Sequence, residues 1–273
     1  MPVKIPLEDN FNDIIGKAQR GLNFGDEQLV TQAGVSTAEL NAVKDGQFNE
    51  TVVRKIAPLL KLGTEALVAS GTKSWYPADP RALDGLACFN TAYGDITVNA
   101  YLIWDPETKN GACFDTGADA IALLNLAAEK QIRIQIILLT HTHPDHIADL
   151  ARIKQQTQAQ AFVSKLEPTS GAETFEVGHK FVLGKLQIQT RLTSGHSRGG
   201  ITYVIDGWPR RIAVVGDAMF AGSMGGGAVS YPDALRNNRE QILTLPEDTI
   251  LCPGHGPLTT VGEEKKHNPF FTT

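Results

Sequence analysis

Three short clusters hold five of the seven histidines of this chain, and they constrain its fold more than any other feature. The densest cluster occupies residues 140–146 and has the sequence THTHPDH. His196 and His255 come later, each directly after a glycine, and Asp217 also follows a glycine. Imidazole and carboxylate groups together suit zinc, iron or manganese. A fold that brings these segments together has enough ligands for two metal ions, which generate hydroxide from water at neutral pH.

Each cluster comes shortly after a predicted strand. Apolar runs that favour strands lie at 132–140, 186–191, 211–215 and 249–251. Binding and catalytic groups favour the loops at strand ends, because a rigid strand aims them. A single loop histidine is usually solvated, but burying this many polar groups without a metal would cost on the order of several kcal/mol. The pattern therefore predicts a metal centre.

The first cluster can serve two neighbouring metals from different directions. His141 and His143 are two residues apart, so in extended chain their side chains point the same way. Pro144 then ends the extended stretch and favours the start of a helix. Asp145 and His146 fall on the first turn of that helix and point elsewhere.

The pattern of apolar and turn-forming residues along the chain predicts two domains with a linker between them. Residues 1–72 show apolar residues at helical spacing, and Ser36 and Glu39 form a capping-box pair that predicts a helix start. Residues 73–82 are rich in turn formers and are typical of a linker. From 83 to 273, short strand-like runs alternate with helical patterns, which predicts an α/β (α+β) domain of sheets covered by helices.

Charge and cysteine usage narrow the functional classes. The 273 residues carry a net charge of −5, so bulk charge does not favour nucleic acid. Three scattered cysteines argue against a disulfide framework and favour a reducing cytoplasm. No stretch approaches the length of a membrane span, and the first residues lack a signal-peptide core. We expect a cytoplasmic protein with no membrane partner, and we expect His179 and His267, which lie outside the clusters, at the surface.

The motifs of residues 83–273 resemble those of the metallo-β-lactamase superfamily, with the glyoxalase II (hydroxyacylglutathione hydrolase) branch as the most similar part of it. The shared motifs are FDTG at 114–117, THTHPDH at 140–146, SGH at 194–196, GD at 216–217 and PGHGP at 253–257. The resemblance implies a four-layer αββα sandwich with the site at one edge of its two sheets, preceded here by a small all-α bundle.

The resemblance also implies how two divalent ions are held, zinc first, with iron or manganese as alternatives. The implied ligands are His141, His143 and His196 for the first ion, Asp145, His146 and His255 for the second, and Asp217 as a bridge. Asp115 would orient a ligand histidine. Metal-bound hydroxide would then attack a thioester or ester carbonyl, and Asp145 and Asp217 would be the catalytic carboxylates.

One departure from the resemblance concerns the substrate. Relatives usually place a basic residue in the loop after the Gly-Asp step, where this chain has a glycine-rich run at 222–227 and Gly226 in place of the cation. Glutathione carries two carboxylates, so its thioesters are not favoured as substrates. Arg198 is an alternative positive charge, and Tyr93 and Asn90, in the predicted loop between the first two strands, are candidate substrate contacts. The glycine run fits either a mobile flap or a plain loop.

Residues 26–69 resemble the phage-repressor type of helix-turn-helix. In that arrangement the helix after Ser36 enters the major groove, but only Asn41 and Lys44 on its outward side suit base contacts. Residues 1–73 contain eight Lys/Arg against nine Asp/Glu, without the basic excess of a DNA-binding module. We therefore expect a structural or dimerising module, with a homodimer as one expected assembly and nucleic acid disfavoured as a partner.

Four functions stay open at this stage. The favoured one is a binuclear hydrolase of a small-molecule thioester or ester; a lactonase is a variant of it. The second is a mono-iron persulfide dioxygenase, which by resemblance would use only His141, His196 and Asp217 and tends to lack the GHGP found at 254–257. The third is a transcriptional regulator whose metal domain senses a small molecule.

Overall fold

Five short helices make up the N-terminal region of the computed structural model, which describes residues 4–80, 83–208 and 210–272. They are α1 (Phe11–Gly21), α2 (Asp26–Ala33), α3 (Thr37–Lys44), α4 (Glu50–Ile56) and α5 (Thr64–Gly71). The predicted capping box is confirmed at α3. Ser36 Oγ accepts from Glu39 N at 3.2 Å, and the Glu39 carboxylate accepts from Ser36 N at 2.7 Å. Two of the donors left free at the helix start are thereby satisfied.

In the remaining described residues, two six-stranded sheets form the centre of the fold. The first contains β1 (Leu86–Tyr93), β2 (Ile96–Trp104), β3 (Asn110–Phe114), β4 (Arg133–Leu138), β5 (Gln160–Ser164) and β6 (Glu173–Phe175), in that spatial order. The second contains β7 (Lys180–Leu183), β8 (Leu186–Leu192), β9 (Ile201–Asp206), β10 (Ile212–Gly216), β11 (Ile250–Pro253) and β12 (Thr259–Thr260), also in chain order. Pairing is parallel from β3 to β6 and between β10 and β11, and antiparallel elsewhere.

Helices cover the outer faces of both sheets. They are α6 (Ile121–Glu129), α7 (Pro144–Ile147), α8 (Leu150–Thr157), α9 (Tyr231–Asn237) with a π-helical turn at Asn238–Ile242, and α10 (Val261–His267). Phe114 and Tyr203 pack edge to face between the sheets, with ring centroids 5.4 Å apart. Leu123 and Ile153 are buried against the outer face of the first sheet, and Val261 against that of the second. The predicted four-layer αββα arrangement is confirmed.

The short strands β6, β7 and β12 have no recognisable sequence signal, because runs of two to four residues show too little alternation. The single helix predicted to start at Pro144 is instead two helices, α7 and α8. Asp149 N donates to Thr116 Oγ1 at 3.0 Å. That bond takes the amide out of the helical ladder and breaks the helix between Ile147 and Leu150.

The predicted linker is packed rather than free where the structure describes it; Arg81 and Ala82 lie outside the described residues. Trp75 Nε1 donates to Glu263 Oε2 of α10 at 3.1 Å, and the Trp75 ring stacks on His267 with centroids 5.2 Å apart. His267 is therefore half-buried, which corrects its expected surface position, whereas His179 is exposed as expected. The boundaries at 72 and 83 stay a prediction.

The apolar core of the N-terminal helices is shared with the rest of the chain. Met224, Tyr231, Ala234 and Phe270 belong to the same buried cluster as the helix residues. The helices thus pack directly on the loop and helix that follow β10. No helix in the described part of the chain has the length and apolar character needed to cross a membrane.

Candidate metal centre

All seven predicted ligands meet at one edge of the two sheets. The loops that carry them follow β4, β8, β10 and β11, as the strand-end pattern predicted. Two groups form, within each of which the candidate ligand atoms lie within 4.8 Å of one another. The first group is His141, His143, His196 and Asp217; the second is Asp145, His146 and His255. Pro144 begins α7 directly after His143, so the turn that separates the two groups is the predicted one.

Asp217 faces both groups. Its Oδ2 lies 3.3 Å from His196 Nε2 and 3.4 Å from His255 Nε2, and its Oδ1 lies 3.3 Å from His146 Nε2. Asp145 Oδ2 is 3.3 Å from His255 Nε2 on the other side. One carboxylate thus sits between the two sets of imidazoles, where a bridging ligand would be.

Asp115 holds the deepest histidine in place. Its Oδ2 accepts from His146 Nδ1 at 2.8 Å and from Thr140 Oγ1 at 2.7 Å, and its Oδ1 accepts from Thr140 N at 2.7 Å. Asp115 adopts a φ of 53°, a region that few non-glycine residues occupy. The bond fixes the proton on Nδ1 and turns Nε2 of His146 towards the cluster.

Backbone carbonyl groups orient two other histidines in the same way, by accepting a hydrogen bond from Nδ1. His196 Nδ1 donates to Gly226 O at 3.1 Å, and His255 Nδ1 donates to Thr97 O at 2.6 Å. In both rings the bond holds a proton on Nδ1 and leaves Nε2 as the nitrogen that binds a metal once its own proton is lost.

Two buried polar atoms show that the donor set fits a cation. Among the residues that the structure describes, His146 Nε2 and Asp217 Oδ1 have no hydrogen-bond partner. The two atoms lie 3.3 Å apart, but they are not aligned as a hydrogen bond. Buried polar atoms in native proteins are almost always satisfied. A divalent ion between them would satisfy both, and imidazole with carboxylate suits zinc or iron.

The charges of the cluster are strongly coupled. Burial opposes the charged form of His146, but Asp217 and Asp115 outweigh it and raise its pKa to about 10. Burial is likewise outweighed at His255, where Asp145 and Asp217 raise the pKa to about 11. Burial would raise the pKa of Asp217 too, yet His146 and its other neighbours hold it well below its usual range. A metal would displace the protons on these rings, so metal binding is expected to release protons.

Glycine is required where the backbone passes the ligands most closely. A Cβ at Gly254 would lie 2.1 Å from Asp217 Oδ1 and 2.6 Å from His146 Cε1. No side chain fits there without moving a candidate ligand. The glycine of the GHGP motif therefore serves the metal centre directly.

The glycine-rich run at 222–227 is a packed loop. It thus fits the interpretation as a plain loop rather than as a mobile flap. Gly222 N donates to Glu264 Oε2 at 3.0 Å, and Gly225 N donates to Asp217 O at 3.1 Å. Met224 within the run is fully buried. The run carries no cation, but its backbone touches the ligands.

The candidate substrate residues lie at different places around the site. Asn90 and Tyr93 are in β1, which corrects the predicted loop, because the hairpin turn consists only of residues 94 and 95. Asn90 Nδ2 donates to Asn99 Oδ1 at 2.8 Å, while Tyr93 is exposed. Arg198 is exposed in the turn after His196. Their contact with a substrate stays a prediction.

Two contributors to the site carry no local sequence signal. Glu167 accepts from Thr142 N at 3.1 Å and from Gly199 N at 2.8 Å, which ties together the loops after β4 and β8. Glu8, from the segment before α1, lies with Oε2 3.9 Å from His255 Nδ1. Neither belongs to a motif, so only their distance in three dimensions identifies them.

The profile of the Metallo-beta-lactamase superfamily matches residues 93–255, more than half of the chain. The chain belongs to this superfamily. It is 28% identical over 200 residues to hydroxyacylglutathione hydrolase GloC of Haemophilus influenzae, which spans 64% of this chain and 93% of that protein. Among solved structures, the BLEG-1 B3 metallo-beta-lactamase is 29% identical with a TM-score of 0.58, over 68% of this chain and 100% of that one.

A third similar protein has a structure that was solved with iron bound. The structure of TTHA1623 in a di-iron-bound form is 25% identical with a TM-score of 0.52, over 67% of this chain and 99% of that one. The superfamily fold and its His/Asp cluster are therefore both present, after an N-terminal helical region that the family match does not reach.

Proposed function

We propose that this protein is a binuclear metal-dependent hydrolase that cleaves a thioester or ester of a small molecule. The observation that carries the proposal is the second ligand group, Asp145, His146 and His255, beside the first, with Asp217 facing both. A mononuclear site would need only the first group. The relative in a di-iron-bound form supports two ions in such a cluster.

Two divalent ions would supply, when bound, Lewis acidity at the carbonyl oxygen and hydroxide at neutral pH. One ion would be held by His141, His143 and His196, and the other by Asp145, His146 and His255. Asp217 would bind both ions. The side chain of Asp145 is buried but still 11% accessible, and its carboxylate would also accept a hydrogen bond from the attacking water. The thiolate or alkoxide leaves without a strong acid.

A covalent mechanism through cysteine is not supported by the thiols. Burial raises the pKa of Cys88 to about 12, and it also raises the pKa of Cys113 and Cys252 above the ordinary value. Buried, protonated thiols are poor nucleophiles. The attacking group in the proposal is therefore water.

The surroundings of the centre favour substrates with little negative charge. By the resemblance to the glyoxalase II branch, Gly226 stands where a cation is expected, and the Glu8 carboxylate lies close to His255. The similarity to a hydroxyacylglutathione hydrolase supports a thioester, whereas the two carboxylates of glutathione would meet no matching cation at Gly226. We therefore propose a thioester or ester of a less anionic small molecule, with a lactone as the nearest variant and zinc as the first metal.

Metal analysis followed by a substrate screen tests the proposal. We expect about two ions per chain and hydrolysis of neutral thioesters in preference to glutathione thioesters. About one iron per chain with oxygen uptake on a persulfide would instead identify a dioxygenase, and turnover of lactones alone a lactonase.

Nucleic acid is disfavoured as a partner on structural grounds as well. Lys44 Nζ, one of the two side chains suited to base contacts, is bound to both oxygens of Asp26 at 2.8 Å. A gel shift at low salt with genomic DNA is expected to show no complex. A homodimer through the helices stays a prediction, which light scattering tests.

A further inference from the structure

We infer that the N-terminal helical region is part of the metal centre, and that Lys17 and Asp9 are positioning residues for its ligands. The inference rests on the metal centre of the proposed function but not on the identity of the substrate. The residues act through one loop, 220–227, which we call the clamp loop. It connects the helices to His196 and Asp217.

The first link runs from α1 to the clamp loop. Lys17 Nζ donates to Met224 O at 2.9 Å and forms an ion pair with Asp9. Ser223 Oγ donates to the same Asp9 carboxylate. The side chains of Lys17 and Asp9 are only 15% and 8% exposed, so water competes little with these bonds. This buried ion pair therefore holds the loop at two points, Met224 O and Ser223 Oγ.

The second link runs from the clamp loop to the metal ligands. Gly225 N donates to Asp217 O at 3.1 Å, and Gly226 O accepts from His196 Nδ1 at 3.1 Å. A Cβ at Gly225 would lie 2.0 Å from Asp217 O, which shows how tightly the two segments are packed. A shift of the clamp loop therefore moves the proton acceptor of His196 and the backbone of Asp217 together.

The remaining contacts extend the same connection to the second ligand group. Lys17 Nζ lies 5.1 Å from the centroid of the Phe220 ring, and that ring lies 5.6 Å from the His255 ring. Glu8, next to Asp9 in the chain, approaches His255 directly. One short segment and one helix thus border both groups.

The clamp loop is held on its other side from within the sandwich. Asn268 Nδ2 donates to Ser223 O at 2.7 Å, and Glu264 Oε2 accepts from Gly222 N. Without Lys17 the loop would keep these bonds and lose those to α1. We therefore expect the protein to stay folded, with the metal ligands less well ordered.

Cobalt substitution tests the inference, because the visible spectrum of bound Co²⁺ reports ligand geometry without any turnover. We expect Lys17→Met to change that spectrum and to weaken metal binding about ten-fold, as losses of ligand-supporting groups do. We expect the kcat of Lys17→Met to fall and its KM to remain unchanged. Lys17→Arg should restore most of each, because arginine can make the same ion pair and carbonyl contact.

Lys44→Met is the matched control, since it removes the exposed Lys44–Asp26 pair from the same helical region. It should match the wild-type protein in spectrum and metal affinity.

If Lys17→Met fails to fold, Asp9→Asn/Lys17→Met removes both buried charges together and takes its place. A wild-type cobalt spectrum and metal affinity in a folded Lys17 variant, or equal effects of Lys17→Met and Lys44→Met, would overturn the inference. An altered spectrum in a protein that hydrolyses no thioester or ester would support it and reject the proposed function.

Discussion

Replacing Gly254 by alanine tests whether His146 and Asp217 converge on the same metals. The new Cβ would lie 2.1 Å from Asp217 Oδ1, whereas ordinary contacts begin at 3.4 Å. The carboxylate or the backbone must therefore move by about 1 Å, several times the tolerance of about 0.2 Å in metal–ligand distances. A misplacement of that size costs about 100-fold in rate, which is about 2.7 kcal/mol in the activation free energy.

The assay compares bound metal, kcat/KM and melting temperature in Gly254→Ala and in a control, Gly25→Ala. A Cβ at Gly25 meets no atom within 4 Å, so the control changes a glycine without a clash. We expect Gly254→Ala to hold about one ion instead of about two and to lose about 100-fold in kcat/KM. A folded Gly254→Ala protein with both ions and normal turnover would refute the reasoning, because the ligands would then not be where the structure places them.

Three further substitutions have separate expected outcomes. Asp217→Ala should lose most activity and much of one metal by elemental analysis; near-normal turnover would refute its bridging role. Asp115→Asn should weaken metal binding about 10- to 100-fold in chelator competition, since an amide orients His146 less firmly; unchanged affinity would contradict this. Burial raises the pKa of Glu264 from 4.5 to about 7, so its contribution to stability is full below pH 4.5 and is lost as pH rises through 7. Urea unfolding should show this decline, about 3 kcal/mol, in the wild-type protein but not in Glu264→Gln; parallel curves would contradict it.

The ligands could be predicted from the sequence because their signals are local. His141 and Asp217 each follow an apolar strand, and the residue types alone suit a metal. The strands that carry them are long enough to show their period. Glu167 could not be predicted, because its bonds to Thr142 and Gly199 span 25 and 32 residues and depend on how two loops meet. The short strands β6 and β12 form for a similar reason: neighbouring segments place them.

The N-terminal helices show even more clearly which features the sequence predicts and which depend on contacts between distant segments. Helical spacing predicts which face of α1 is apolar, and it predicts nothing about what that face packs against. Lys17 and Asp9 are eight residues apart and resemble an ordinary surface pair. The pair is buried and connected to His196 only because Ser223 and Met224 pack against it in the folded protein. These two residues lie more than 200 residues later in the chain. A helix-turn-helix resemblance describes the shape of such a region, whereas the role that we infer for it depends on the surface that it covers.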